Sequence, residues 1–398
     1  MMTEIFREYH RTHHWINFKI DVRRITELMW LKLGQVQAKC DQISGVPLLP
    51  SVADQFHRLS LAKGVLGTTA IEGNTLTEEQ VLSLLKGELE LPRSKQYLAK
   101  EIENILQAVN TIANRIFSGK EGRLQPEEIK EYNKMVLDGL TYGEEVIPGQ
   151  YRNHNVGVLG YRGAPPEDVS LLVAQMCDWL NSWDTPEDLK ISMSVVKAIV
   201  AHVYVAWIHP FADGNGRTAR LIELQVLLSS GFPTPAAHLL SNYYNETREK
   251  YYHFLRVASK KEDGIYDFIE YAIQGFLENL NEQIKIIEAQ QLKVHWESYV
   301  HEQFRNKDSK ASLRQRRLIL DLWNNKDGLT INEIRELSPR IAIAYAGKTD
   351  KTIQRDLKHL ESIGLVFYVS KFVFVNRSIV SAFLPKKRTI ELPTAVKT

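Results

Sequence analysis

Two apolar helical segments flank one polar, glycine-framed stretch, and that junction limits both the fold and the chemistry open to this chain. Val195 to Ile208 carries Ala198, Ile199, His202, Val203 and Ala206 and is apolar nearly all round. That is the pattern of a helix buried at a domain centre. An apolar helical run resumes at Leu221-Ile222-Glu223-Leu224-Gln225-Val226-Leu227-Leu228. Between them lies His209-Pro210-Phe211-Ala212-Asp213-Gly214-Asn215-Gly216-Arg217-Thr218-Ala219-Arg220. A glycine-rich turn that feeds a helix leaves unpaired backbone N–H groups and the positive end of the helix dipole pointing outward. That is an anion site, and phosphate is its commonest occupant.

The side chains of this stretch share one use. Gly214, Asn215 and Gly216 let the backbone approach anionic oxygens closely. Arg217 and Arg220 offer planar forks of donors suited to phosphate. Asp213 suits a magnesium ion that bridges phosphates, since magnesium takes only one or two protein carboxylates. His209, with an ordinary pKa near 6.5, is the remaining proton-transfer group. Cradle, metal ligand, cation clamp and base are the parts of phosphoryl or nucleotidyl transfer.

Composition excludes several other classes. The chain has 398 residues, 44% hydrophobic and 25% charged, which is ordinary globular composition and suggests two or three domains. A net charge of +2 is too near neutral to argue nucleic-acid binding by itself. Cys40 and Cys177, distant in sequence, read as free thiols of a cytoplasmic protein. No apolar run is read as reaching the roughly 20 residues that span a membrane. Met1 to Glu8 lacks the apolar stretch of a signal peptide.

In chain order, residues 1–50 read as mostly helical, with Ile20, Val22, Ile25, Leu28 and Met29 at helical spacing. His10, His13 and His14 form a cluster that reads as a solvated terminal helix rather than a metal site, since no carboxylate or cysteine completes a set. Ser51 is the expected cap of a helix that ends at Glu72-Gly73-Asn74, with Gly73 in a left-handed position. Glu72 is either a solvated or paired acid, or an acid held at an unfavourable helix C-terminus to meet a cation. Thr77 and Gln80 fit a capping box. Two helices are expected over 95–140, the second opening at Pro126. Pro148-Gly149-Gln150-Tyr151-Arg152 reads as a turn, and Val156-Gly157-Val158-Leu159-Gly160 alternates like a strand, either a surface loop or a flap able to pair with another chain. His202 reads as a satisfied core histidine, and Tyr243, Tyr244, Tyr251 and Tyr252 as core aromatics that also suit base stacking.

A long charged helix is expected over 276–312. A separate unit follows, with helices from Leu313 to Asn324, near Thr330-Ile331-Asn332-Glu333-Ile334, and from Asp350 to Ile363, then strands Leu365–Val369 and Phe372–Val375. That order is the order of a winged helix. Lys348, Lys351, Arg355, Lys358 and His359 decorate its third helix. Gly347-Lys348-Thr349 lacks the upstream glycine and strand of a phosphate loop.

His209 to Arg220 resembles, without departure, the motif His-x-Phe-x-Asp/Glu-Gly-Asn-Gly-Arg-x-x-Arg of the Fic (filamentation induced by cAMP) family. The resemblance covers roughly residues 50–275 and implies a mainly α fold: a helical core with a short β-hairpin flap, here followed by the winged-helix domain. It implies a nucleotidyltransferase that moves AMP from ATP to a Ser, Thr or Tyr hydroxyl of a protein target or of itself, with Mg2+. His209 would be the base and Phe211 the anchor of the loop. Asp213 would hold the metal. Gly214, Asn215 and Gly216 would form the anion hole, with Arg217 and Arg220 on the phosphates. Val156, Gly157 and Val158 would form the flap over the nucleotide, and Tyr251 and Tyr252 the adenosine pocket. Ser259 stands where some relatives have an asparagine.

Thr68-Thr69-Ala70-Ile71-Glu72-Gly73-Asn74 resembles the family's inhibitory motif, Ser/Thr-x-x-x-Glu-Gly/Asn, in the arrangement called class II. Thr68, Glu72 and Gly73 would then be inhibitory, with Glu72 on Arg220 in place of a γ-phosphate. The expected division is 1–95 with the inhibitory helix at about 51–73, core 96–275, linker helix 276–309, winged helix 310–377 and tail 378–398. The competing readings are a different nucleotide or phosphocholine-like donor, hydrolytic removal of AMP, or a DNA-binding regulator working through 310–377. A homodimer is compatible with the family's mode of inhibition.

Overall fold

The computed structural model describes residues 7–119, 122–158, 161–261 and 263–381. They fall into two compact units, residues 1–284 and 285–398. The fold is mainly α, as expected. In the first unit the helices are α1 Glu8–Thr12, α2 Glu27–Gly45, α3 Pro50–Ala70, α4 Glu78–Leu85, α5 Gln96–Phe117, α6 Pro126–Leu137, α7 Val169–Asn181, α8 Lys190–Ile208, α9 Asn215–Ser229, α10 Thr234–Ala237, α11 Leu239–Glu246 and α12 Arg248–Ala258. The hairpin β1 Gly157–Val158 and β2 Tyr161–Arg162 is antiparallel, with Gly157 opposite Arg162.

The core sits around α8. Val195, Val196, Ala198, Ile199, Val203 and Ile208 are fully buried, because the helix is covered on all sides. The segment Glu187–Ile208 is long and apolar enough to cross a membrane, contrary to the reading that no run reaches that length. Its apolar surface is instead covered by protein, 83% of the window being buried. α9 packs along α8, and α3, α5 and α6 pack on α9. The expected N-terminal region 1–95 and core 96–275 therefore share one hydrophobic core.

Several local expectations are corrected. Ile20, Val22 and Ile25 precede α2, whose cap is Thr26, and Leu28 on α2 is exposed. His13 is buried rather than solvated, and its Nε2 donates to the Arg162 carbonyl of β2 over 2.8 Å. α3 begins with Pro50 at its first position after Leu49, so Ser51 is not its cap. The capping box of Thr77 and Gln80 is present as expected. Val156 lies just outside β1, its carbonyl accepting from Gly163 N at 3.1 Å, and Leu159 and Gly160 lie outside the described residues.

α3 comes close to α11 because it has no side chain at two contacts. A Cβ on Gly64 would stand 2.3 Å from His238 Nδ1, and one on Gly67 would stand 3.0 Å from the Ser241 carbonyl. α3 ends at Ala70, and the chain turns through Gly73 at φ 108°. Asn74 fixes that turn: its amide donates to the Leu98 carbonyl (2.9 Å) and Glu101 Oε2 (2.8 Å).

α13 runs Gly264–Gln303, earlier than the helix expected over 276–312. The second unit draws Trp296 and Val300 of α13 into its core. It continues with α14 Lys310–Leu322, α15 Ile331–Arg335, α16 Pro339–Tyr345 and α17 Asp350–Ser362, then the antiparallel hairpin β3 Val366–Val369 and β4 Phe372–Val375. α16 was not expected; Ser338 caps it and Pro339 opens it. Asp356, almost fully buried, accepts from Arg314 (2.6 and 3.0 Å), Gln315 (2.9 Å) and Tyr345 (3.0 Å), which ties α14, α16 and α17 together. Of the tail expected over 378–398, residues 382–398 lie outside the described residues.

The α3–α11 contact predicts a stability effect. Gly64→Ala forces the buried His238 ring aside and should destabilise the protein by about 1–3 kcal/mol, the usual cost of overpacking, measured by urea unfolding of the full chain.

Candidate active site

The site forms where α8 stops. His209 is the residue after α8 and adopts the left-handed conformation, φ 51° and ψ 62°. A non-glycine residue there carries strain that its surroundings must hold. Its N–H still donates to the Val205 carbonyl at 2.8 Å. Phe211 is 1% exposed and lies 5.6 Å, centroid to centroid, from Tyr151, so it anchors the loop as expected.

The loop is closed by a side chain assigned above to the anion hole. Asn215 Oδ1 accepts from Phe211 N at 2.9 Å, and its Nδ2 donates to the Phe211 carbonyl at 2.8 Å. The side chain of Asn215 is thus committed to the loop, and only its backbone remains for an anion. Gly214, at φ 79°, precedes α9, and its N–H donates to the Asp213 carboxylate. A Cβ on Gly214 would come within 2.8 Å of Asn133 Nδ2, which donates to the Asp213 carbonyl at 2.8 Å. Asn133 also accepts from Gly149 N at 3.0 Å, joining the cradle to the Pro148–Gly149 turn.

A cavity of about 300 Å³ opens over this loop. His209, Asp213, Gly214, Asn215, Gly216 and Glu72 are among its lining residues, together with Trp207, Tyr251, Tyr252, Leu255, Arg256 and Tyr161. The flap residue at the cavity is Tyr161 of β2, whose hydroxyl donates to the Trp207 carbonyl at 2.8 Å; Val156 and Gly157 are not among the lining residues. Tyr251 is buried and its hydroxyl bonds His202 Nε2 at 2.9 Å, while His202 Nδ1 lies 3.1 Å from Glu223 Oε2. His202 is therefore a buried core histidine, as expected, but only Nε2 is hydrogen-bonded; Nδ1 lies beside the Glu223 carboxylate without a bond of good geometry. Tyr252 is half-buried and donates to the Ile71 carbonyl at 3.3 Å, touching the turn that carries Glu72. Ser259 bonds the Arg256 carbonyl and does not line the cavity.

Arg220 is closed off from water, its side chain 0% exposed. One nitrogen donates to Glu72 Oε1 at 2.6 Å and to the Thr68 carbonyl at 2.9 Å. Thr68 contributes its carbonyl here; its hydroxyl is turned back to Gly64 O at 2.9 Å. Gly216 makes room for the pair, since a Cβ there would stand 2.3 Å from Glu72 Oε1. Glu72 is thus a paired acid, which both readings of it allow.

Arg217 points elsewhere. Its guanidinium lies 3.4 Å from Asp213 and 3.6 Å from Glu101, and it lines a neighbouring cleft of about 290 Å³ with Tyr97, Glu101 and Asp213. Among the described residues no cluster of three or more His, Cys, Asp or Glu side chains suits a metal. Asp213, half-exposed at the cavity edge, fits a magnesium ion whose other ligands are phosphates and water, and does not fit a site built from protein ligands alone.

Electrostatics keep the His209 imidazole neutral. Burial, then the Arg152 charge, push His209 down to about 4, against smaller opposing effects of Glu72 and Asp213. The imidazole is therefore neutral through the physiological range. Burial pushes the Glu72 carboxyl up, but Arg220, with Arg217 and Arg248, outweighs it and holds the group below its ordinary value. The pairing is thus complete above the free carboxylate range and is lost only as pH falls through the lowered value.

Sequence reasoning missed Asn133, Arg152, Tyr161 and Glu101. Each acts through a main-chain group or a neighbour distant in sequence, and no spacing signals that.

Residues 123–227 match the family model of the Fic/DOC family. That segment runs from just before α6 to α9 and so includes the hairpin, the His209 turn and the glycine cradle. The chain is similar to protein adenylyltransferase fic-1 of Caenorhabditis briggsae, 31% identical over 195 residues, which is 49% of this chain and 36% of the relative. It is 28% identical over 229 residues to protein adenylyltransferase Fic of Drosophila ananassae, covering 58% of this chain and 43% of the relative. The chain thus spans less than half the length of these curated relatives. Among solved structures, Fic-1 (aa134–508) of C. elegans is similar with a TM-score of 0.55 and 24% identity, over 67% of this chain and 75% of that one. A Fic family protein of Desulfovibrio desulfuricans G20 gives a TM-score of 0.52 and 19% identity over 89% and 94%. At such identities these two likenesses speak to the fold.

The depressed basicity of His209 is directly measurable. NMR titration of the imidazole should show it neutral down to about pH 4. A midpoint near 6.5 would contradict the burial seen here.

Proposed function

We propose that this chain is a protein adenylyltransferase that transfers AMP from ATP to a Ser, Thr or Tyr hydroxyl of a target protein or of itself, and that Glu72 restrains it by occupying Arg220. The observation that carries the reading is one cavity holding a neutral imidazole, an anion cradle on a helix start and an aromatic-walled pocket. His209 takes the hydroxyl proton as the oxygen attacks the α-phosphorus. The new P–O bond forms as the α–β bridging bond breaks, and pyrophosphate leaves. Backbone N–H groups at the start of α9 face the phosphate charge. Asp213 would hold magnesium, which supplies charge neutralisation at the phosphates when bound.

Regulation follows from competition for one group. The Arg220 nitrogen that bonds Glu72 cannot present the same proton to a γ-phosphate. With Glu72 seated, that donor is withheld from the triphosphate, and the α-phosphate would not be held for in-line attack. The nucleotide relatives of this reaction, UMP transfer or phosphate transfer, differ in the mass they add to the target.

A second reading concerns residues 310–377, where a winged helix would place α17 as the recognition helix. Lys348, Lys351, Arg355, Lys358 and His359 are all exposed, which favours contact with a phosphate backbone. If so, full-length protein should retard duplex DNA at low salt and lose binding steeply as salt rises, and reversing charge at Lys351, Arg355 and Lys358 should abolish the shift. Retention of the shift after charge reversal would count against this reading.

For the main reading, Glu72→Gly should raise incorporation of label from [α-32P]ATP at least tenfold over wild type. His209→Ala in that background should reduce it by about 10²–10⁴, the range of a general base. Intact-mass spectrometry should show an added AMP. Equal labelling by wild type and Glu72→Gly would sink the inhibitory assignment, and an added mass other than AMP would replace the donor.

A further inference from the structure

We infer that Arg152 is a positioning residue for the transfer reaction: its guanidinium ties both stems of the β1–β2 hairpin to the backbone of His209, so that the flap and the base are held as one piece. The inference rests on the adenylyl-transfer reading above and adds to it a residue outside the His209–Arg220 stretch.

The geometry is specific. Arg152 is 4% exposed. Its Nε donates to the His209 carbonyl at 2.7 Å, and one terminal nitrogen donates to the Ile208 carbonyl at 3.2 Å and to the Ala164 carbonyl. The other terminal nitrogen donates to the His154 carbonyl at 2.6 Å. The backbone N–H of Arg152 donates to the Pro210 carbonyl at 3.0 Å. His154 and Ala164 stand on the two stems of the hairpin, before β1 and after β2, while Ile208, His209 and Pro210 are the end of α8 and the start of the loop.

A buried cation usually meets a carboxylate. Among the described residues no carboxylate forms an ion pair with Arg152, and its charge is spent on carbonyl oxygens. Two of these belong to the C-terminal end of α8, where carbonyls lack intrahelical partners and the dipole favours a cation. The left-handed turn at His209 directs the Ile208 and His209 carbonyls to one guanidinium. Gly163 marks how closely the three parts meet. A Cβ there would stand 2.9 Å from an Arg152 nitrogen, 3.0 Å from His209 Cβ and 3.2 Å from Val156 Cγ2. Lysine, with one nitrogen, cannot span these four acceptors.

Arg152 also acts on the imidazole through its charge. The charged groups facing His209 are Arg152, Glu72 and Asp213, and Arg152 alone opposes protonation. Burial already weakens Arg152's own hold on its proton, bringing it to about 10, which still leaves it charged at neutral pH.

The test uses Arg152→Gln and Arg152→Lys in the full chain carrying Glu72→Gly. The readouts are ATP affinity by calorimetry, kcat and KM for transfer, and the His209 imidazole titration by NMR. With Arg152→Gln, ATP affinity should stay within twofold, kcat should fall at least tenfold, and the imidazole should titrate above the Glu72→Gly parent. Arg152→Lys should return the titration to the parent value while leaving kcat depressed, because charge is restored and the four-way bond is not. Parental kcat and titration in Arg152→Gln would overturn the inference, as would equal losses of ATP affinity and kcat in both variants. If the Glu72→Gly parent transfers nothing, the adenylyl-transfer reading fails. The imidazole titrations then decide Arg152 alone, and identical values in parent and Arg152→Gln overturn it.

Discussion

A guanidinium with no contact to water must have an anion or a set of carbonyls, and Arg220 is such a group. In this chain Glu72 supplies the anion from the turn after α3, and several neighbours make room for it. Gly216 lacks the Cβ that would block the carboxylate, Gly73 turns the chain after it, and Asn74 locks that turn to α5. Gly64 and Gly67 let α3 lie close to α11. Glu72 keeps about a third of its side-chain surface exposed, so water screens its half of the pair. The pair is thus asymmetric: the arginine depends on a partner, whereas the carboxylate is already partly hydrated.

The turn at His209 is built on the same principle with carbonyls in place of a carboxylate. His209 sits in a left-handed turn whose exposed acceptors are gathered by Arg152. The same guanidinium reaches the hairpin stems, and His13 reaches the hairpin from the N-terminal side through the Arg162 carbonyl. Tyr161 then closes one wall of the cavity. Among the described residues the hairpin pairs two residues per strand, so its position depends on these side-chain bonds to its backbone more than on its own ladder.

The main features were legible because they are local. The all-round apolar character of α8, the glycine-framed turn and the two arginines at the start of α9 are visible within one short stretch. The Thr77–Gln80 capping box and the Pro126 helix start also rest on adjacent residues and were read correctly. Ser51 misled because Pro50 fits the first helical position better, and the helix starts two residues sooner. The helix Glu187–Ile208 passes the membrane test by length and composition, and only its coverage by neighbouring elements shows it to be a core helix.

The sequence by itself determined the chemical inventory: a base, one metal-capable carboxylate, a backbone anion cradle, two arginines and an acid at the end of α3. Tertiary structure decided how these are shared. It gave Arg220 to Glu72, turned Arg217 toward Glu101 and Asp213, and committed the Asn215 side chain to Phe211. It also set the protonation of His209, through burial and an arginine 57 positions away in the chain. The physical reason is that residue type fixes which bonds a group can make, whereas burial and distance select which are made. Those two quantities exist only once α3, α8, α9 and the hairpin have packed.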